Sequence, residues 1–435
     1  MNVTNYSLFA HKPCYLLQWP NARILIDTPV DYNPFFSFLP HVYQSPRLKN
    51  AHPPRKFQLR YLKEIDGRVY VESPPEVFHV STDLLKMDSI DAILVSNYES
   101  FIGLPFYTEH NGFKGKIYVT ELAYQYGKLL MEEMLEHMAR IECAPTDSAW
   151  KSEDVCASFP NTPHQNPVEW RQFYKSEDMH RCLTKVITLS FNQTIEIFRI
   201  KVTPVPTGHT YGSAYWTIKT ENERFAYLPA SNPSSTDVKP LDTIPLRSVD
   251  YILVSSLCRL IDTNVVTMGG RLMQNITETL RGNGSVLLPM SPVGPIFEII
   301  EAVSDLISTT NGISIDTPIY LVSPVAKSAL AMAMISSEWM SNSRQNNVYE
   351  DRPREPFSHS HLVKDGRLKI YDSLYGPFSK EFKMPCVLIT SHSSLRVGDA
   401  AHMVEVMGSD KRNCVILTEQ KQKETRMVHK IIKFT

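Results

Sequence analysis

A chain of 435 residues is too long for one ordinary hydrophobic core, so two domains, or one large domain carrying an insertion, are expected. Its 43% hydrophobic and 21% charged residues are ordinary for a globular protein, and a formal net charge of -1 leaves no global pull toward nucleic acid or membrane, only local basic patches. No run is long enough to span a bilayer, and Met1–Ala10 lacks the basic-then-apolar pattern of a signal peptide. The seven cysteines (Cys14, Cys143, Cys156, Cys182, Cys258, Cys386 and Cys414) are scattered, with no Cys-x-x-Cys pair. That predicts reduced thiols in the cytosol or nucleus rather than a disulfide framework or a zinc ribbon.

In chain order, Cys14–Trp19 and Arg23–Ile26 read as a hairpin turned at Pro20 and Asn21, the second strand ending on Asp27. Pro34–Pro54, rich in proline, aromatic and basic residues, reads as a surface loop. Val69–Val71 and Ala92–Val95 are strands, the second buried by its continuous apolar run. It leads into a polar elbow, Ser96-Asn97-Tyr98-Glu99-Ser100, and then a helix start. After the strand Lys116–Thr120, the spacing of Leu122, Tyr126, Leu129, Leu130, Met134, Leu135 and Met138 predicts an amphipathic helix over Glu121–Ile141, its stripe packed in a core. Cys143–Asp178 shows little periodicity and reads as a long surface excursion. Strands follow near Lys185–Leu189, Thr194–Ile200 and Lys201–Pro204, then a Gly-His-x-x-Gly turn (Gly208 to Gly212) around His209, then Ala214–Lys219 and Arg224–Leu228.

From Asp250 onward the pattern changes. The apolar runs Asp250–Ser255, Gly284–Pro289, Pro318–Val322, Pro385–Thr390 and Cys414–Thr418 alternate with helical patterns such as Gly294–Ile307 and Ser328–Met340. Strands alternating with helices predict a parallel sheet covered on both faces. Arg352–Arg354 and Lys411–Arg412 are too short to be nucleic-acid patches and read as solvated surface.

Ile24–Asp27, Ser45-Pro46-Arg47-Leu48, Ser96-Asn97-Tyr98, Leu104–His110, Gly112-Phe113, Lys128–Glu133, Tyr320–Ala326 and the Cys386–Gly398 run together resemble catalytically inactive members of the metallo-β-lactamase/β-CASP family, over roughly Asn5 to Glu419. The resemblance implies an α/β fold: a metallo-β-lactamase αββα sandwich with an inserted β-CASP α/β domain of mainly parallel strands. It divides the chain into a metallo-β-lactamase-like part at 1–247, a β-CASP domain at 248–420 and a divergent tail at 421–435. It further implies that the family's returning strands are missing here, leaving the sandwich with an uncompleted, exposed edge.

Active members of this family place His-x-His-x-Asp-His in the elbow, where imidazole and carboxylate bind a pair of ions about 3.5–4 Å apart. Here Asn97 and Glu99 stand in an elbow without histidine that looks two residues shorter. Asp27 falls where the family orients a ligand histidine from behind, or else it simply ends its strand. His209 matches another ligand station, as a functional ligand or a residual structural histidine. Ala230 replaces a metal-bridging aspartate, and a methyl cannot bridge cations. Ser255 replaces an acidic residue of the second domain, and Gly294-Pro295-Ile296-Phe297-Glu298 lacks the arginine that follows the glycine in active relatives. Proline there still opens a helix.

The expected protein is a pseudo-hydrolase with no metal or other cofactor. Its expected partner is a catalytic endonuclease subunit, within a nuclear complex that processes small nuclear RNA 3′ ends and is linked indirectly to RNA polymerase II. The alternatives are a residual metal-dependent RNA endonuclease using Asp27, Glu99 and His209, or an inactive subunit of the cleavage and polyadenylation machinery.

Overall fold

The computed structural model describes residues 1–40, 54, 57, 59, 61–141, 147–160, 165–233, 237–255, 265–349, 355–418 and 431–433. Ser45–Leu48, Cys143, Ser256–Cys258, Arg352–Arg354 and most of 419–435 lie outside these.

Two sheets face each other in the first half. The first orders Asn2–Asn5, Tyr15–Gln18, Arg23–Ile26, Ala92–Leu94, Lys116–Thr120 and Val186–Leu189 side by side. Its hairpin end is antiparallel and the rest parallel. The second sheet contains Ile195–Ile197, Ile200–Pro206, Ala214–Lys219 and Arg224–Leu228, all antiparallel, with Tyr251–Val254 added in parallel at its edge. Alternation decides which side chains meet between the sheets: Leu17, Ile24, Ile26 and Leu94 from one, Val202, Trp216, Phe225 and Tyr227 from the other. Leu25, Ile93, Val95, Ile117 and Val119 point the opposite way, into a helical layer holding Phe101, Tyr107, Ala123, Met131 and Cys182.

Three readings from the sequence are corrected. Tyr251–Val254 belongs to the second sheet of the sandwich and not to the α/β unit; a short apolar run reads as a parallel strand in either sheet. Pro34–Leu39 is not a surface loop, because Phe35 and Phe38 are fully buried. The stretch after Cys143 is not a plain excursion either. Trp150 and Trp170 pack with Phe38, Leu62, Val69 and Val71 into a small separate core, because indole area outweighs a lack of periodicity.

Tyr251–Val254 is also an open edge. In register, Tyr251 and Leu253 continue the inward-facing row of Phe225 and Tyr227. Tyr251 is nonetheless 57% exposed, with Ile252 at 48% and Val254 at 37%. Such a strand is a template for pairing with another chain.

The second half is a three-layer α/β unit. Leu368–Tyr371, Ile319–Val322, Val387–Thr390, Val286–Pro289 and Cys414–Ile416 run parallel in that order, and Ile431–Lys433 joins antiparallel at the end. Burial on both faces explains their continuous apolar runs. One face packs on Val265–Arg281, Ile296–Thr309 and Ala326–Ile335, the other on Pro377–Glu381 and Asp399–Met407. The helix Glu121–Ala139 serves both halves. Ala123 and Met131 sit in the first half's helical layer, while Leu122, Tyr126 and Leu130 belong to the core of the second. Of its predicted stripe, Leu122, Tyr126, Leu130 and Met134 are core, while Leu129, Leu135 and Met138 are half-buried. Cys14, Cys156, Cys182 and Cys386 are free and buried, Cys414 is buried too, and no described helix is long and apolar enough to cross a membrane.

Candidate functional site

The positions singled out in the sequence converge on one rim of the sandwich, at the carboxyl ends of its central strands. Backbone hydrogen bonds bring the pieces together. Ala214 N–H, just after the His209 turn, donates to Ser96 of the elbow (2.8 Å); Asn232 N–H, just after Ala230, donates to Thr207 (2.8 Å); Ser255 N–H donates to Leu228 (3.0 Å). The elbow and the His209 turn are therefore neighbours, as are that turn and the Ala230 segment.

The rim's side chains are otherwise engaged. Asp27 is fully buried at φ 61, a left-handed conformation that aspartate tolerates better than most residues. One carboxylate oxygen accepts the Ser96 N–H (2.7 Å) and the other the Tyr227 hydroxyl (2.9 Å). Asp27 thus pins a strand of the first sheet to the elbow and to the second sheet. Burial pushes its carboxyl up to about 6 even though those donors pull it down.

Asn97 caps the short helix Tyr98–Phe101, its side-chain oxygen accepting the Ser100 N–H at 2.8 Å. The elbow is held tightly against the strand behind it. Thr28 Oγ1 donates to the Ser100 carbonyl (2.7 Å), and a Cβ on Gly103 would lie 1.9 Å from the Thr28 carbonyl oxygen. Glu99 and His209 are both exposed, as is the methyl of Ala230; Ser255 is half-buried. The His209 turn is tied internally, with Thr207 Oγ1 receiving the His209 N–H (3.3 Å) and Ser213 Oγ receiving that of Thr210 (3.0 Å).

A buried carboxylate that the sequence reading passed over, Asp31, is also committed. It accepts Lys12 Nζ at 2.9 Å, Gln165 Nε2 at 3.0 Å and Asn33 Nδ2 at 3.2 Å. Only its place four residues beyond Asp27 could have flagged it.

Metal in this fold requires imidazoles and carboxylates that converge with free lone pairs. Among the described residues, no group of three or more His, Cys, Asp or Glu side chains is placed to hold an ion. The donor set does not fit a metal pair. Asp27 is buried and binds Ser96 and Tyr227 within the protein, Asn97 is a cap, and Glu99 and His209 face solvent.

The metallo-β-lactamase superfamily domain matches residues 76–239 and the Beta-Casp domain matches residues 297–427. The chain thus carries a metallo-β-lactamase superfamily domain followed by a Beta-Casp domain. It is similar to Integrator complex subunit 9. It is 36% identical to that protein from Homo sapiens and from Bos taurus, over 95% of this chain and 64% of theirs. A protein of Drosophila melanogaster described as probable cleavage and polyadenylation specificity factor subunit 2 is 20% identical, over 93% of this chain and 45% of its own length. The chain thus spans 64% of the length of the Integrator relatives.

Proposed function

We propose that this chain works by contact rather than by chemistry, as a non-catalytic subunit of the Integrator complex. In this reading it docks beside a catalytic RNA endonuclease subunit in the nucleus. It serves small nuclear RNA 3′-end processing and transcription termination, with RNA polymerase II and RNA reached through other subunits. The observation that carries the reading is the chemistry of the rim: the elbow offers the amide of Asn97, and Ala230 places only a methyl in the segment bonded to the His209 turn. Asn97 is moreover occupied as a helix cap, so neither position supplies a metal-binding imidazole or carboxylate. The relatives' name supplies the complex, and the match to the cleavage and polyadenylation relative is weaker.

The test is co-purification of this chain, and of a full-length relative, with the catalytic Integrator endonuclease. Association of the full-length protein, with cleavage dependent only on the catalytic partner, is the expected result. RNA cleavage by this chain alone, lost on Glu99→Ala or His209→Ala, would instead establish a residual nuclease.

A further inference from the structure

The seam between the two halves carries a reciprocal exchange of carboxyl groups. Glu133, on the shared helix of the sandwich, reaches into the second half. Its Oε1 accepts the hydroxyls of Ser323 (2.7 Å) and Ser391 (2.6 Å), which follow two parallel strands there. His137, one turn on, lies with Nε2 2.9 Å from the Ser391 hydroxyl. In the other direction Glu298, on Ile296–Thr309, accepts the hydroxyl of Tyr211, which belongs to the turn containing His209. Its second oxygen is buried and has no partner among the described residues. Between these two points the seam is close-packed. Gly294 stands at φ +91, and a Cβ there would fall 2.6 Å from the Tyr98 hydroxyl of the elbow.

The surrounding charges leave both carboxyls poorly compensated. Arg140 approaches Glu133 but is bonded to both oxygens of Asp399 (3.3 Å each), and Asp399 itself repels Glu133. Burial lowers His137 to about 3 and the adjacent His392 to about 4, so neither supplies a positive charge near neutrality. Around Glu298, Arg344 attracts but is shared between Asp237 (2.9 Å) and Glu301 (3.0 Å), while Asp237 repels. Tyr126 is the remaining titratable neighbour; burial holds its phenol protonated. Hydroxyl donors alone do not repay the desolvation of a carboxylate.

We propose that these two carboxyl groups make the seam a proton-sensitive joint, tight when both are protonated and loosened when solvent admits their charge. Burial raises each from the ordinary 4.5 to about 7. A raised carboxyl stabilises the closed seam fully below the ordinary value, and that contribution falls as pH rises through the raised one. Between pH 6 and pH 8 the opening equilibrium should rise about tenfold for each carboxyl, about a hundredfold for both together.

The test is native-state hydrogen exchange of the full chain at pH 6, 7 and 8, corrected for intrinsic rates, following Glu121–Ala139 and the loop after Ser391. Wild-type protection should fall with pH, by about a factor of ten less in Glu133→Gln or Glu298→Gln, and hardly at all in the double variant. A wild type with no such dependence, or a double variant that keeps it, would overturn the proposal. Should glutamine disturb folding, Ser391→Ala and Tyr211→Phe keep the carboxyls while deleting their donors. The pH midpoint must then move upward, and an unmoved midpoint counts against the joint.

Discussion

The rim of the sandwich and the seam behind it are built from similar side chains put to opposite uses. At the rim, the acidic and imidazole groups with any freedom, Glu99 and His209, stand in solvent. At the seam, Glu133, Glu298 and His137 are buried and bound across the two halves. Burying such groups is costly unless they are hydrogen-bonded, and here each is held by a partner from the other half. The contrast is one of burial: the seam's polar groups bond across the two halves, while Glu99 and His209 of the rim meet solvent.

Substitutions should expose that difference, the seam first. Phe297 is fully buried and touches the rings of Tyr126, Tyr211 and Phe357. Phe297→Ala should therefore cost about 3–5 kcal/mol in denaturant unfolding. Tyr211→Phe leaves a buried carboxyl without its donor and should cost about 1–3 kcal/mol. At the rim, Asn97→Ala removes only a helix cap, about 1 kcal/mol. Glu99→Ala and His209→Ala should fall within about 0.5 kcal/mol of wild type. If either cost as much as Tyr211→Phe, the division between rim and seam would be lost.

Asp27 offers a finer test, since its carboxyl is fully buried at the rim. Raised to about 6, it stabilises the fold fully below the ordinary carboxylate range and loses that contribution as pH climbs through 6. Asp27→Asn should flatten this part of the stability–pH curve, leaving the slope near 7 that belongs to Glu133 and Glu298. An unchanged curve below pH 6.5 would show that Asp27 is not the titrating group.

Much of the sandwich was legible because its strands alternate and its turns are marked. Arg23–Ile26, Lys116–Thr120, Ala214–Lys219 and Arg224–Leu228 lie where their residues suggest. The long helix was equally clear from its spacing, but not its double duty: Glu133 and His137 interrupt the apolar face at positions that read as surface until Ser323 and Ser391 are brought against them. Tyr251–Val254 reads from its sequence as part of the parallel α/β unit and lies instead in the sandwich, since four apolar residues carry no register. The convergence of Asn97, His209, Ala230 and Ser255 on one rim came from their resemblance to family motifs, whereas spacing alone says nothing of residues so far apart. What those side chains do there depends on distances: Asp27 reads as an end-of-strand residue until Tyr227, two hundred positions on, is seen to bind it.

The most direct test of the account is the metal content of the purified chain, measured by elemental mass spectrometry after equilibration with zinc or manganese. The account predicts far less than one ion per chain, unchanged by Glu99→Ala or His209→Ala. Two tightly held ions per chain, released when either residue is replaced, would contradict it.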